Sequence, residues 1–549
     1  MNNQKSSDGR SIKRTIVSIL ITVVFAAVYF YVMLPAINLR DQGLYQFLIV
    51  CLIVYLIVST LTSGIGFQGD PQETFRRIKE KSKPVVMVII LLVVIMLGGT
   101  LISSPVFQAK SYAKLLTPET GDFAEDVAEI SYDQIPMLDD ASAQRLGNRK
   151  LGELSDMVSQ FEVSSSYAQI NYRNRPVRVT YLEYGDFFKW FNNRNEGLPA
   201  YLMVDMVTQE ASVVRLAEGM RYSPSELFFR NLQRHLRLQF PTMMFDDVNF
   251  EIDDDGNPWW VASVITKRIG LFGGVDVKGA VLCNAITGES TYYAIDAVPT
   301  WVDRVCSADL IIEQYDYYGA YQGGFWNYHF GQKNVTATTD GYNYIALNDD
   351  VWVYTGVTSV TGDESNVGFI LVNQRTKESK YYGIPGAEEY SAMDSAAGAV
   401  QDLKYTATFP LLLNISGEPT YFIALKDSSE LVKMYAMVNV RQYQIVATGT
   451  SVAACETNYQ ALLKQGGMIE STEDVGAIET VTGKIDDLRS AVIDGNTYYF
   501  IRLEQDDHYY QISAAASTES VLLNVGDSVT ITYSVVDSTI QNAISVEMS

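Results

Sequence analysis

The chain has 549 residues, with 41 Lys/Arg against 64 Asp/Glu and a formal net charge of -23, which is length enough for three or four domains. Its mean hydropathy is near zero, but that average covers two populations: the first hundred residues are apolar and net basic, and the remainder carries about 28 net negative charges. A field of that sign repels nucleic acid and anionic headgroups. It argues against nucleic acid as a partner and favours basic partners or unspecific cations.

Residues 1–15 are a polar tail containing Lys5, Arg10, Lys13 and Arg14. Uncharged apolar runs follow at 16–37, 44–67 and 85–107, each long enough to cross a bilayer as a helix. A signal peptide does not fit the first run. It is too long for a signal core, no small-residue cleavage site follows, and the second run begins six residues later. The connecting segment 68–84 carries Arg76, Arg77, Lys79, Lys81 and Lys83, whereas the first loop has only Arg40 beside Asp41. The positive-inside rule therefore predicts a multi-pass cell-membrane protein with a cytoplasmic N-terminus, and with everything after about residue 108 outside. Without an ionisable residue in any span, an ion path or proton relay made by this chain alone is not expected. Gly98-Gly99 in the third span would let another helix approach closely.

After a linker at 108–141, one pattern recurs: an apolar strand, a turn with Thr-x-Glu, then a second strand. The turns are Asp205…Thr208-Gln-Glu210, Asn284…Thr287-Gly-Glu289 and Asn373…Thr376-Lys-Glu378, with a degenerate copy at Asp427-Ser-Ser-Glu430. An Asp or Asn opening such a turn bonds its own backbone, so these residues are expected to be structural. Gly-x-Pro before an aromatic strand marks further strand starts at Gly197, Gly256 and Gly417. Helical spacing appears at 142–160, at 223–236 with Ser223-Pro224-Ser-Glu226 as an expected capping box, at 302–318 and at 387–402. The predicted unit is one helix on a small antiparallel sheet. It is used at 142–220, 221–298, 299–384 and, in degenerate form, 385–450.

This layout resembles PepSY and PepSY-like domains, with Thr287-Gly288-Glu289 the copy most like the family's final hairpin turn. The resemblance implies extracytoplasmic, non-catalytic modules that regulate peptidases or take part in envelope assembly. A helix and linker at 451–477 then lead to alternating short strands over 478–549, whose spacing looks like an OB-fold-type barrel. Asp486, Asp487, Glu504, Asp506 and Asp507 on that domain argue against nucleic acid there. The predicted fold class is a helical membrane anchor plus an α+β outer region of tandem helix-on-sheet modules, capped by a small all-β, OB-like barrel.

Little chemistry is legible. Cys51, Cys283, Cys306 and Cys455 have no metal-site spacing; a Cys283–Cys306 bridge is the one pairing to consider. His235, His329 and His508 lie far apart, and His235, in a helix beside Arg234 and Arg237, reads as surface. Glu251-Ile-Asp253-Asp-Asp255-Gly256 resembles half a calcium loop, but Ala262 stands where the closing Glu is needed, so a hairpin tip is expected instead. No catalytic motif, metal site or cofactor fingerprint is visible. Two aromatic clusters form the candidate partner-binding surface: Phe325, Trp326, Tyr328 and His329, and, separately, Phe272 between Gly270 and Gly274. Burial under a sheet end is the favoured alternative for both. The expected function is thus a non-enzymatic binding, scaffold or regulatory protein of a bacterial envelope, bound to lipid by three helices and to other envelope proteins. The alternatives are an envelope hydrolase or transferase with an unrecognised site, and an accessory subunit of a membrane complex.

Overall fold

A computed structural model describes residues 2–62, 71–129, 135–360, 365–469, 478–493, 496–514, 518–535 and 539–548. The chain divides into two compact units, Met1–Gln444 and Ile445–Ser549.

Three helices open the first unit: α1 (Asn2–Met33), α2 (Gln42–Thr62) and α3 (Pro71–Ile102). Their membrane-length apolar parts are Lys13–Met33, Gln42–Thr62 and Ser82–Ile102. Each differs from the expected span by a few residues, for physical reasons. The first stops at Met33 because Leu34 adopts a left-handed φ of 51° before Pro35. The third stops at Ile102 because Ser104-Pro105 starts a new helix, α4 (Pro105–Tyr112), where Pro lacks the N–H to continue the old one. The expected extension of the second span to Phe67 lies outside the described residues. The basic stretch from Arg76 to Lys83 is not a loop; it forms the first turns of α3.

The expected linker 108–141 is also structured. Glu119–Thr120 adds a parallel strand beside Lys380–Tyr381, and α5 (Phe123–Asp126) follows. Asp126 pairs with Lys380 at 2.7 Å, and the Val127 carbonyl accepts from Asn414 Nδ2 at 2.7 Å. This segment closes the edge of one sheet and seals another, which accounts for Phe123 and Val127 being buried.

Among the described residues four sheets follow, antiparallel apart from the Glu119–Thr120 edge strand of the third. The first contains 161–163, 168–171, 176–184, 198–205 and 211–220, with α6 (Asp140–Gly152) before it and α7 (Phe187–Asn193) inserted in it. The second is a meander of 244–252, 258–269, 273–284 and 290–294, preceded by α8 (Leu232–Gln239). The third, after α9 (Ala308–Tyr321), contains 336–338, 343–347, 350–359, 365–373 and 379–382. The fourth, after α10 (Glu389–Ala399), is built on 411–415, 418–426 and 432–439.

The second sheet is buried on both faces. Trp260, Ala262 and Val264 enter a core shared with the first sheet, beside Tyr181, Tyr201 and Phe250. Val261, between them in sequence, enters a core shared with α9 and the third sheet. Period-two alternation sends neighbours to opposite faces, so a strand with two cores reads as a continuous apolar run.

Two helix expectations need correcting. Residues 153–160 are turns, so the helix begun at Asp140 is shorter than 142–160. Ser223 and Glu226 do not cap a helix: α8 starts at Leu232, with the Asn231 side chain accepting from Arg234 N. Glu226 is instead buried, accepting from Tyr184 Oη and Trp190 Nε1, both at 2.8 Å. Two aromatic donors outcompeted a cap because a buried carboxylate needs partners.

In the second unit, α11 (Val452–Gln465) is capped by Ser451. Strands 478–493, 496–503, 509–513, 540–548 and 528–534 then pair in that ring order and close a barrel. Ile485, Ile501, Leu503, Ile512, Val529, Ile531 and Val546 fill it.

Candidate binding cleft between the modules

The four Thr-x-Glu turns have a common geometry. Asp205, Asn284 and Asn373 each accept the N–H groups two and three residues on, at 2.9–3.0 Å. Asp427 accepts from Ser429 at 2.8 Å and from Leu431 at 3.1 Å. The residue before each Glu or, in the fourth copy, the Glu itself is left-handed: Gln209, Gly288, Lys377 and Glu430. The Thr287 and Thr376 hydroxyls accept from the N–H of Glu289 and Glu378 at 3.2 Å. Gly197, Gly256 and Gly417 are left-handed as well, each just before a strand.

These turns also clamp the sheets together. Gln209 donates to Tyr435 Oη at 3.0 Å, joining the first sheet to the fourth. Lys377 reaches the Leu115 carbonyl at 3.0 Å and the Asp276 carboxylate. His235 is not a free surface residue: its Nε2 lies 2.7 Å from the Gly288 carbonyl, and its ring packs on Tyr222.

Where the modules converge they leave a cleft of about 560 Å³. Its wall takes Asp139 and Asp140 from the start of α6, Gln169 and Arg178 from the first sheet, Asn249 from the second, and Arg304 from the following loop. Tyr344 of the third sheet with Tyr342 just before its strand, and Phe422 of the fourth with Phe409 just before 411–415, complete it. Arg178 is buried and donates to Asp140 at 2.8 Å, yet its Nε has no acceptor. Arg304 lies against the Tyr344 ring, 5.5 Å from its centroid, and its Nε also lacks a partner. The Gln169 Nε2 is a third unpaired donor. Asp139 is occupied, capping α6 at Ser142 N and pairing with Lys426 Nζ at 2.7 Å. Burial raises the Asp139 pKa, but the bonds from Lys426 and Ser142 outweigh that and leave it below the usual range.

Below this wall lies a buried carboxyl pair. Glu251 accepts from the N–H groups of Asp303 and Arg304 at 2.8 and 3.0 Å, and Asp303 accepts from Asn171 N at 2.7 Å. Burial pushes Glu251 up to about 7 against the pull of those N–H groups, and burial plus Glu251 raises Asp303 well above its ordinary value. The pair fixes the backbone that carries Arg304.

The expected aromatic surface is divided. Phe272 is buried at the tip of the 258–269/273–284 hairpin, edge-on to Tyr45 of α2. Phe325, Trp326, Tyr328 and His329 cluster around the turn Asn327–Gly331, where Trp326 is 66% and Phe330 80% exposed. Phe272 is thus covered, whereas in the second group Phe325 and Tyr328 are half-buried and Trp326 and His329 exposed. Cys283 and Cys306 are both free buried thiols, not a bridge. The Asp253–Gly256 segment is a hairpin tip, with Asp253 accepting from Asp255 N, Asn257 N and Trp259 Nε1.

No family model matches the sequence, and no curated protein matches it. Among solved structures, a glycoside hydrolase family 32 structure from Bifidobacterium adolescentis covers 68% of this chain and 73% of its own, at 10% identity and a TM-score of 0.16. A likeness of that size carries no argument about fold or activity. The cleft residues were missed because they lie in four separate modules. Arg178, a buried charge between Val177 and Val179 of the strand Pro176–Tyr184, is the signal the sequence offers.

Proposed function

We propose that this chain is a membrane-anchored, extracytoplasmic binding protein of a bacterial cell envelope, whose inter-module cleft receives a carboxylate- or phosphate-bearing group of its ligand or partner. The observation that carries this reading is that Arg178, Arg304 and Gln169 line one cleft and that each keeps a buried N–H without an acceptor. Guanidinium groups suit such anions because they donate in a planar fork, and buried donors without acceptors lose free energy that a ligand oxygen restores.

The distribution of Lys and Arg around the spans supports a cytoplasmic N-terminus. Repeated helix-plus-sheet modules with an Asx-opened final hairpin support a PepSY-like origin and a regulatory or scaffolding role. The ring order of the C-terminal barrel is the one expected of an OB fold. The exposed turn bearing Trp326 and Phe330 offers a further contact surface for envelope proteins.

The test is binding by the full chain in nanodiscs to panels of acidic peptides and phosphate esters, read by thermal shift. A stabilising acidic ligand that Arg304→Gln no longer binds is the expected result. Turnover of peptide, glycan or ester substrates by the purified protein would favour the enzymatic alternative instead.

A further inference from the structure

Beyond the cleft and the three helices, a second region of the globular part carries an unexplained apolar surface. Phe187, Phe188 and Phe191 project from α7, and Phe228 and Phe229 from the segment before α8; all five are half or more exposed. Phe187 and Phe228 both touch the Trp190 ring, at 5.5 and 6.0 Å, which makes the five a single patch. Phe228 holds a left-handed φ of 53°, a conformation that bulky residues rarely adopt and that is kept only when the surroundings enforce it.

The place of this patch is fixed by α1. The Phe229 ring packs on Tyr31 at 5.8 Å, and Tyr31 lies inside the apolar span Lys13–Met33. Arg234 donates to the Tyr31 carbonyl at 3.3 Å and Arg237 to the Leu34 carbonyl at 2.9 Å. Along α8, the earlier residue therefore meets the deeper residue of the span. The chain preceding α8, with Phe228 and Phe229, is thus level with the last apolar turns of α1. Cations stand beside the rings: Arg194 stands 3.8 Å over Phe191, Arg230 donates to the Arg194 carbonyl, and Lys189 lies on α7 itself, 3.5 Å from Asp186. They stand out in a globular region that is strongly acidic overall.

We propose that Phe187, Phe188, Phe191, Phe228 and Phe229 form a monotopic lipid-binding platform that inserts into the headgroup–acyl boundary of the leaflet facing the globular region, with Lys189, Arg194 and Arg230 against lipid phosphates. Apolar rings ringed by basic residues are the makeup of interfacial segments, and the long basic side chains reach the headgroups from beside the rings. Continuity with the span of α1 selects lipid over a soluble partner. The platform adds a fourth membrane contact beside the three helices and holds the modules in one orientation over the bilayer.

The test uses the full chain in nanodiscs, with Phe188→Cys carrying an NBD fluorophore in a Cys51→Ser background, the other native thiols being buried. Quenching by a doxyl-labelled phosphatidylcholine and by aqueous iodide is then compared. The expected result is at least twofold loss of emission with the doxyl lipid and little loss with iodide, repeated with the label at Phe191→Cys. Ready quenching by iodide without lipid quenching would place the patch in water and overturn the proposal. Protection from both quenchers would show a protein cover, a second copy or a partner, and would overturn it equally.

Discussion

The Phe272 ring lies over Gly99, so close that a β-carbon built at Gly99 would stand 2.6 Å from Phe272 Cε2. Around this contact the Ser103 hydroxyl accepts the N–H groups of Leu271 and Phe272 at 2.9 and 3.1 Å, and Tyr112 Oη donates to the Ser103 carbonyl at 2.8 Å. Gly99 thus serves a hairpin tip, while Gly98 faces open space. Gly99→Leu is expected to loosen this junction by about 1–3 kcal/mol, the usual cost of overpacking. Faster proteolysis near residue 104 in the solubilised protein would register it, and unchanged cleavage would mean that the tip does not depend on the glycine.

Glu226 should be among the most sensitive positions, because it joins the second module to Tyr184 and Trp190 of the first. Removing its carboxylate leaves Tyr184 Oη and Trp190 Nε1 without acceptors in the core. Glu226→Ala is expected to cost about 2–4 kcal/mol, measured as a lower denaturation midpoint with an unchanged slope.

The Thr-x-Glu turns make a discriminating pair of variants. Gly288 and Lys377 occupy the same left-handed position, but a side chain at Gly288 would meet the Tyr222 ring. Gly288→Ala should therefore destabilise by about 1–3 kcal/mol through both strain and collision. Lys377→Gly relieves the backbone but gives up the contacts to Asp276 and the Leu115 carbonyl. Equal effects of Gly288→Ala and of alanine at an exposed turn position would contradict this account.

Stability should depend on pH through the buried carboxyl pair. Glu251 holds its proton up to about 7 when folded, against 4.5 as its ordinary value. Between those values the folded chain binds more protons than the unfolded one, so stability contributed by this site falls as pH rises from about 4.5 to 7. The effect is on the order of 3 kcal/mol at most, one pKa unit being about 1.4 kcal/mol. Melting temperatures across that window should show the decline, and Glu251→Gln should flatten it while lowering stability overall.

Orientation has its own readout. Thiol reagents applied from outside cells should reach cysteines placed near residues 300 and 500 and should not reach cysteines at 70–83. The reverse pattern would invert the topology.

Much of the architecture was legible because its signals are local. Uncharged runs of about twenty residues mark the spans, and Asp205, Asn284 and Asn373 mark turns whose hydrogen bonds close within a few residues. The helix after Ser223 misled because Glu226 answers to Tyr184 and Trp190, 42 and 36 positions upstream. The linker was misread because Glu119–Thr120 finds its strand partner more than 250 residues away. The cleft was invisible for the same reason: Arg178, Arg304 and Tyr342 share a wall only after three sheets stack.

The central claim is that the cleft receives an acidic group, and cross-linking from within it is the most direct measurement. A photoreactive amino acid at Tyr342, in the full chain in its native membrane, should yield a discrete adduct that acidic competitors suppress and that Arg304→Gln abolishes. An adduct indifferent to both, or a protein that binds its partner with the cleft arginine replaced, would contradict the account.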